Sequence, residues 1–220
     1  MSPSASPSGT ALVRTLASHE LGNIVFDSAE VALDSVLTEG VLSELPIVGT
    51  VVNLAKAGQS VAEELFLRKL LRFLLELRSV PVEDRAKLLA KYPDGTKGQR
   101  DLGENLLLTL ERLDSVQKPA LLARFFAAYI REQIDYLTFS RLAQALERFN
   151  LALTPHLSWF YTHVGPPMET TEDIQHELSL AGLLTASLEA SGAFGGSAGY
   201  YQSPIGKLFV ELGYGVHVRQ

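Results

Sequence analysis

Between Leu45 and Arg78 the sequence LPIVGTVVNLAKAGQSVAEELFLRKLLRFLLELR carries the longest apolar pattern of helical period in the chain. Turned at about 100° per residue, Phe66, Leu67, Leu70, Leu71, Phe73, Leu74 and Leu77 fill an arc of roughly 200°, which leaves Arg68, Lys69, Arg72 and Glu76 on a narrow polar strip. An arc that wide predicts a central helix. Ser60 and Glu63, spaced S-x-x-E, form a capping box, and Glu63 with Glu64 suits the positive end of the helix dipole. Pro46 fits a first helical position and Gly58 a left-handed stop, so the stretch divides into two helices, about 46–57 and 61–78.

The same period recurs on both sides. Leu12, Leu16, Leu21, Ile24, Val25, Leu33, Val36 and Leu37 predict one or two amphipathic helices before Gly40, with Gly22 as a break. Ser79-Val80-Pro81 opens a short helix ending near Tyr92, and Pro93 to Gly103 reads as an exposed polar loop. Leu106, Leu107, Leu110 and Leu113 mark a helix from Glu104. Pro119 starts a helix with a double stripe, Leu121, Phe125, Tyr129 beside Leu122, Phe126, Ile130, which packs on two sides. Thr138 caps a helix bearing Phe139, Leu142, Leu146 and Phe149, and Thr154-Pro155 opens another that Gly165-Pro166-Pro167 ends.

Beyond that break the pattern changes. A helix from Thr170 or Thr171 carries Ile174, Leu178 and Leu180. A strand from Leu184 to Ala190, a glycine-rich turn from Ser191 to Gly199, a strand at Tyr200 to Gln202 and a helix from Ser203-Pro204 to Gly213 follow. The fold class expected is mainly α: residues 1–10 as a disordered lead-in, a multi-helix bundle over 11–165, and a small winged-helix-like α+β unit over 166–220.

Composition narrows the chemistry. The absence of cysteine among the 220 residues excludes disulfides, thiolate metal sites and cysteine nucleophiles, and implies a cytoplasmic protein. The Ser/Pro-rich start MSPSASPSGT lacks the basic region of a secretory signal. The net charge of −6 is unevenly spread. Residues 1–64 sum to −6, residues 65–148 to +4 and the remainder to −4, so segments of opposite sign can attract within or between chains. No run reaches the about 18 uncharged apolar residues of a membrane span.

Specific sites are scarce. His156 and His163 stand seven apart, too far for chelation from one helix, and the glycines at 192, 195, 196 and 199 lack the helix and lysine of a phosphate loop. Glu111, Asp114, Glu132 and Asp135 alternate with arginines as on solvated faces. No cofactor, metal or small-molecule substrate is expected. Nucleic acid is disfavoured as a partner because the helix from Thr171 to Gly182 holds Glu172, Asp173 and Glu177 and no lysine or arginine. The candidate interaction face is Ile47, Val48, Val51, Val52, Leu54 and Lys56, with Arg68, Lys69 and Arg72 beside it. Segment 41–62 has a second, membrane-active reading in which it leaves the bundle and inserts in lipid, placing the protein at the inner membrane periphery.

The C-terminal phrasing L-x-x-A-G-L-L, from Leu178 to Leu184, then Y-x-x-[ST]-x-x-G-K-x-F, from Tyr200 to Phe209, resembles the second half of a winged helix-turn-helix. With Leu180 to Leu184, Tyr201 to Phe209 and an apolar N-terminal segment before a helical middle, the arrangement also resembles the abortive-infection alpha family of bacterial phage-defence proteins. Pro46 to Thr50 (P-[IV]-[VI]-G-T) and Lys69 to Leu74 (K-x-x-R-F-L) are similar to a group of uncharacterised bacterial proteins. The resemblance implies a defence role exerted through protein or self contacts and brings no catalytic residue. A non-enzymatic interaction protein is therefore expected, with membrane activity and DNA regulation as competing readings.

Overall fold

Helix α1 (Gly9–Ala17) begins a mainly helical chain that closes with a two-stranded antiparallel sheet and one last helix. The computed structural model describes residues 9–23, 45–49, 61–162, 171–188 and 198–218. Contacts divide the chain into two compact units, Met1–Gln133 and Ile134–Gln220. The break proposed from sequence at Gly165-Pro166-Pro167 lies outside the described residues. The helices of 136–162 pack with elements that follow it, because their apolar faces meet the last helix.

In unit 1, α1 leads into a 3-10 turn at Glu20–Asn23. Then come α2 (Val61–Leu77), α3 (Val82–Lys91), α4 (Lys97–Arg112) and α5 (Lys118–Ile130). Helix α1 packs on α4 and α3, while α2 packs on α5 and α4. Leu67, Leu70, Leu71, Phe73, Leu74 and Leu77 of α2 are buried as their spacing requires. The most enclosed helix is nevertheless α5. Both of its stripes are buried, and alanines at 120, 123, 127 and 128 let neighbours approach. Phe126 meets Phe73 and Tyr129 with ring centroids 6.1 and 5.9 Å apart. Helix α2 instead exposes Val61 and Leu65 at its start.

Helix α4 starts six residues before the expected loop ends. Thr96 caps it, its hydroxyl accepting from the Gln99 N–H at 3.3 Å. Gly103 is consequently a helix-interior residue, and its value is close approach: a Cβ there would lie 2.0 Å from the Gly9 carbonyl oxygen.

Unit 2 contains α6 (Tyr136–Arg148), a 3-10 turn at Leu151–Leu153, α7 (Thr154–Thr162), α8 (Glu172–Leu180), β1 (Leu184–Leu188), β2 (Ala198–Gln202) and α9 (Pro204–Tyr214). Leu184 pairs with Gln202 and Ala186 with Tyr200. Helices α6 and α7 pack on α9, and α8 packs on β1. Phe149 meets Phe209 edge-on at 5.3 Å. Two termini differ from expectation. Asp135, rather than Thr138, caps α6, accepting the Thr138 N–H at 2.7 Å. Helix α9 runs past Gly213, which is buried, and stops at Gly215 in the left-handed region with φ 67°.

Candidate interaction surface

The interaction face expected around the break before α2 is only partly within the described residues. Ile47 and Val48 are fully buried in unit 1, and the Ile47 N–H donates to Thr15 Oγ1 at 3.2 Å. Val51, Val52, Leu54 and Lys56 lie outside the described residues. Arg68 donates to Glu64 Oε1 at 2.6 Å, one turn earlier on the same helix. Lys69 donates to the Glu111 carbonyl at 3.0 Å; burial pushes its pKa down, and the charges of Asp114 and Glu111 oppose that. Arg72 is half-buried. Two of these three cations are thus engaged inside unit 1, and a partner or a lipid surface could use Ile47 and Val48 only by displacing them.

Unit 2 is organised around one buried phenol. Tyr161 Oη donates to the Leu183 carbonyl at 2.5 Å and accepts from the Ser203 N–H at 2.9 Å. Burial holds its pKa above the usual tyrosine value. Ser203 caps α9, accepting the Gly206 N–H at 2.8 Å and donating to the Gly182 carbonyl at 2.9 Å. Gly206 must be glycine, since a Cβ would stand 2.0 Å from Tyr161 Oη and 2.1 Å from the Leu183 oxygen. The G-K-x-F phrase is therefore a packing signature joining α7, β1 and α9.

With that interior closed, the chemistry of unit 2 is on its surface. Along α6, Leu137, Arg141, Gln144 and Arg148 form one exposed stripe, with Leu137 67% exposed. On α8, Glu172, Asp173, His176 and Glu177 are exposed, and Leu180 is 63% exposed. His176 Nδ1 lies 3.4 Å from Tyr200 Oη on β2. Arg141, Arg148, Glu172, Asp173 and Glu177 make no ion pair among the described residues. Glu172 and Asp173 also suit the dipole of their own helix N-terminus, a role that does not extend to Glu177.

These surfaces were missed by the sequence reading, although a helical wheel holds the signal. Leu137 falls about 160° from the centre of the Phe139–Leu142–Leu146–Phe149 face, and Leu180 about 200° from Leu178. Each is an apolar side chain on the polar side of its helix.

The described residues contain no group of three His, Asp or Glu side chains that could hold a metal ion. No helix among them is long and apolar enough to cross a membrane. The helix in the position of a recognition helix, α8, offers carboxylates where base edges and phosphates require donors. No family model matches the chain, and neither a curated protein nor a solved structure matches it.

Proposed function

We infer that the chain is a non-enzymatic interaction protein that works through contacts with another protein or with copies of itself. The observation that carries this reading is the pairing, on α6 and on α8, of unpaired charges with a large apolar side chain left in water. Leu137 and Leu180 are each accompanied by a row of charges of one sign, the composition of a patch that a partner covers. The acidic row is borne by the helix–strand–strand–helix unit that Tyr161 and Ser203 tie together, and the basic row by α6, which packs on α9 of the same unit 2 through Phe149 and Phe209. The resemblance of Leu180 to Leu184 and Tyr201 to Phe209 to phage-defence proteins supports a cytoplasmic defence setting for that contact.

The test combines mass-resolved sizing of the full chain over a range of concentrations with cross-linking in the source cells followed by mass spectrometry. Self-association or a reproducible cross-linked protein through unit 2 is expected. A chain that stays monomeric and yields no cross-link from α6 or α8 overturns the reading.

A further inference from the structure

We propose that α6 and α8 are the two halves of one interface, so that the basic stripe of one copy docks antiparallel against the acidic face of a second copy. The proposal rests on the interaction reading above and names its occupant. Along α6 the order is Leu137, then Arg141, then Arg148. At a rise of about 1.5 Å per residue the two arginines stand ~6 and ~17 Å from Leu137. Read backwards along α8, the order is Leu180, then Glu177, then Asp173 and Glu172. Those carboxylates stand ~5 and ~11–12 Å from Leu180 by the same rise.

Laid antiparallel, the two helices bring Leu137 onto Leu180, Arg141 onto Glu177 and Arg148 towards Asp173 and Glu172. The remaining offset of ~5 Å at the last pair is within the span of an extended arginine side chain, whose stem covers apolar surface while the guanidinium reaches its partner. The parallel alignment fails this test, because it sets Leu137 against two carboxylates and Leu180 among arginines. The complement must come from another molecule. Within one chain both rows are solvent-exposed and make no ion pair with each other or with any described residue.

The surface is matched to this chain in particular because both signs sit on one compact unit. A two-fold arrangement forms the α6–α8 contact twice and closes as a dimer, the commonest symmetry of soluble homo-oligomers. Its electrostatic share sets register and rejects like-charged alignments, and the leucine pair supplies the apolar contact.

The experiment uses the full chain and analytical ultracentrifugation at low and high salt, with far-UV circular dichroism as a folding control. Wild type is expected to sediment as a dimer at low salt, with dissociation increased at least ~10-fold on going to about 0.5 M salt, where charges are screened within a few ångströms. Arg141→Glu/Arg148→Glu makes both rows acidic, and Asp173→Lys/Glu177→Lys makes the α8 row basic. Each variant alone is expected to lose at least ~10-fold in self-affinity, whereas an equimolar mixture pairs opposite rows in both contacts and restores the dimer. Restoration in the mixture also shows that neither variant is merely misfolded. A dimer indifferent to both reversals overturns the α6–α8 interface while leaving the interaction reading intact. A monomeric wild type overturns self-docking and leaves that reading to its cross-linking test.

Discussion

The two units differ in the groups they bury: unit 1 encloses the cations Arg85 and Lys118, and unit 2 the neutral Tyr161 and Ser203. In unit 1 several cations are held by ion pairs, Arg14 with Asp94, Arg124 with Glu76, Lys91 with Glu132 and Lys118 with Asp114, while Lys97, Arg100, Arg112 and Arg131 are exposed. Arg85 is buried, donating from Nη1 to the carbonyls of Leu16 at 2.8 Å and Ser18 at 2.7 Å, and from Nε to Val80 at 3.0 Å. It closes the C-terminal end of α1 with a full positive charge, where the helix dipole is negative. In unit 2 the corresponding internal role falls to neutral groups, the Tyr161 phenol and the Ser203 hydroxyl. Arg141, Arg148, Glu172, Asp173 and Glu177 of this unit are exposed. The interior of unit 2 is thus tied by neutral hydrogen bonds, with the carboxylate of Asp135 used only at the exposed start of α6, and the difference from the buried guanidinium of unit 1 is open to tests on single residues.

The largest effect is expected from Arg85→Met, which keeps the apolar stem and removes the donors. Three buried or half-buried carbonyls lose a charged partner, and the loss is on the order of 3 kcal/mol in urea unfolding. Hydrogen exchange should rise first in α1 and the 3-10 turn at Glu20–Asn23, beneath which the guanidinium lies. A variant as stable as wild type would mean that unit 1 does not depend on its internal charge, and the contrast with unit 2 would collapse.

A smaller loss, about 2 kcal/mol, is expected for Tyr161→Phe, because the Ser203 N–H and the Leu183 carbonyl are then left without their partner. The pH dependence sharpens the contrast. The folded pKa of Tyr161 lies above its unfolded value near 10, so its contribution is complete below about pH 10 and is lost as pH rises through the folded value. The stability gap between wild type and Tyr161→Phe should therefore narrow in alkali and stay constant from pH 6 to 9. A gap that widened in alkali would contradict the burial of this phenol.

Local signals in the sequence carried the elements whose reasons are local. Pro119 and the double stripe of α5, Pro81 before α3, and Ser203-Pro204 before α9 were legible because caps and periodicity act within one helix. Glycines were misread where their reason is another element. Gly103 looked like the end of a loop and is the point at which α4 meets Gly9 of α1; Gly213 looked like a helix stop and is a buried contact residue in α9. Asp135 and Thr138 are both capping types three residues apart, and spacing alone does not rank them. The proposed interaction surface is hidden in the sequence for another reason. The longest apolar run contains Ile47 and Val48, which unit 1 buries, whereas exposed apolar residues are informative when they stand alone on a polar face, as Leu137 and Leu180 do.

The smallest effect tests whether the charge pairs on the surface of unit 1 belong with Arg85 or with solvent. Arg14 Nε and Nη2 meet both Asp94 oxygens at 2.7 and 2.8 Å, a bidentate pair in which both side chains are about half exposed. Hydrogen bonding from Arg14, then from Gln99, holds the Asp94 carboxyl below its ordinary value. A lowered folded pKa contributes stability that is present above about pH 4 and is lost as pH falls through the folded value. Asp94→Asn should therefore differ slightly from wild type at pH 7, and the difference should shrink as pH falls through the folded value. Added salt should shrink the difference, as solvent screens exposed pairs. An unchanged gap at high salt would place this pair with Arg85, as part of the internal electrostatics of unit 1. A gap that vanishes would confine the dependence of that unit on charge to cations such as Arg85, whose buried carbonyl partners lie away from the ions that do the screening.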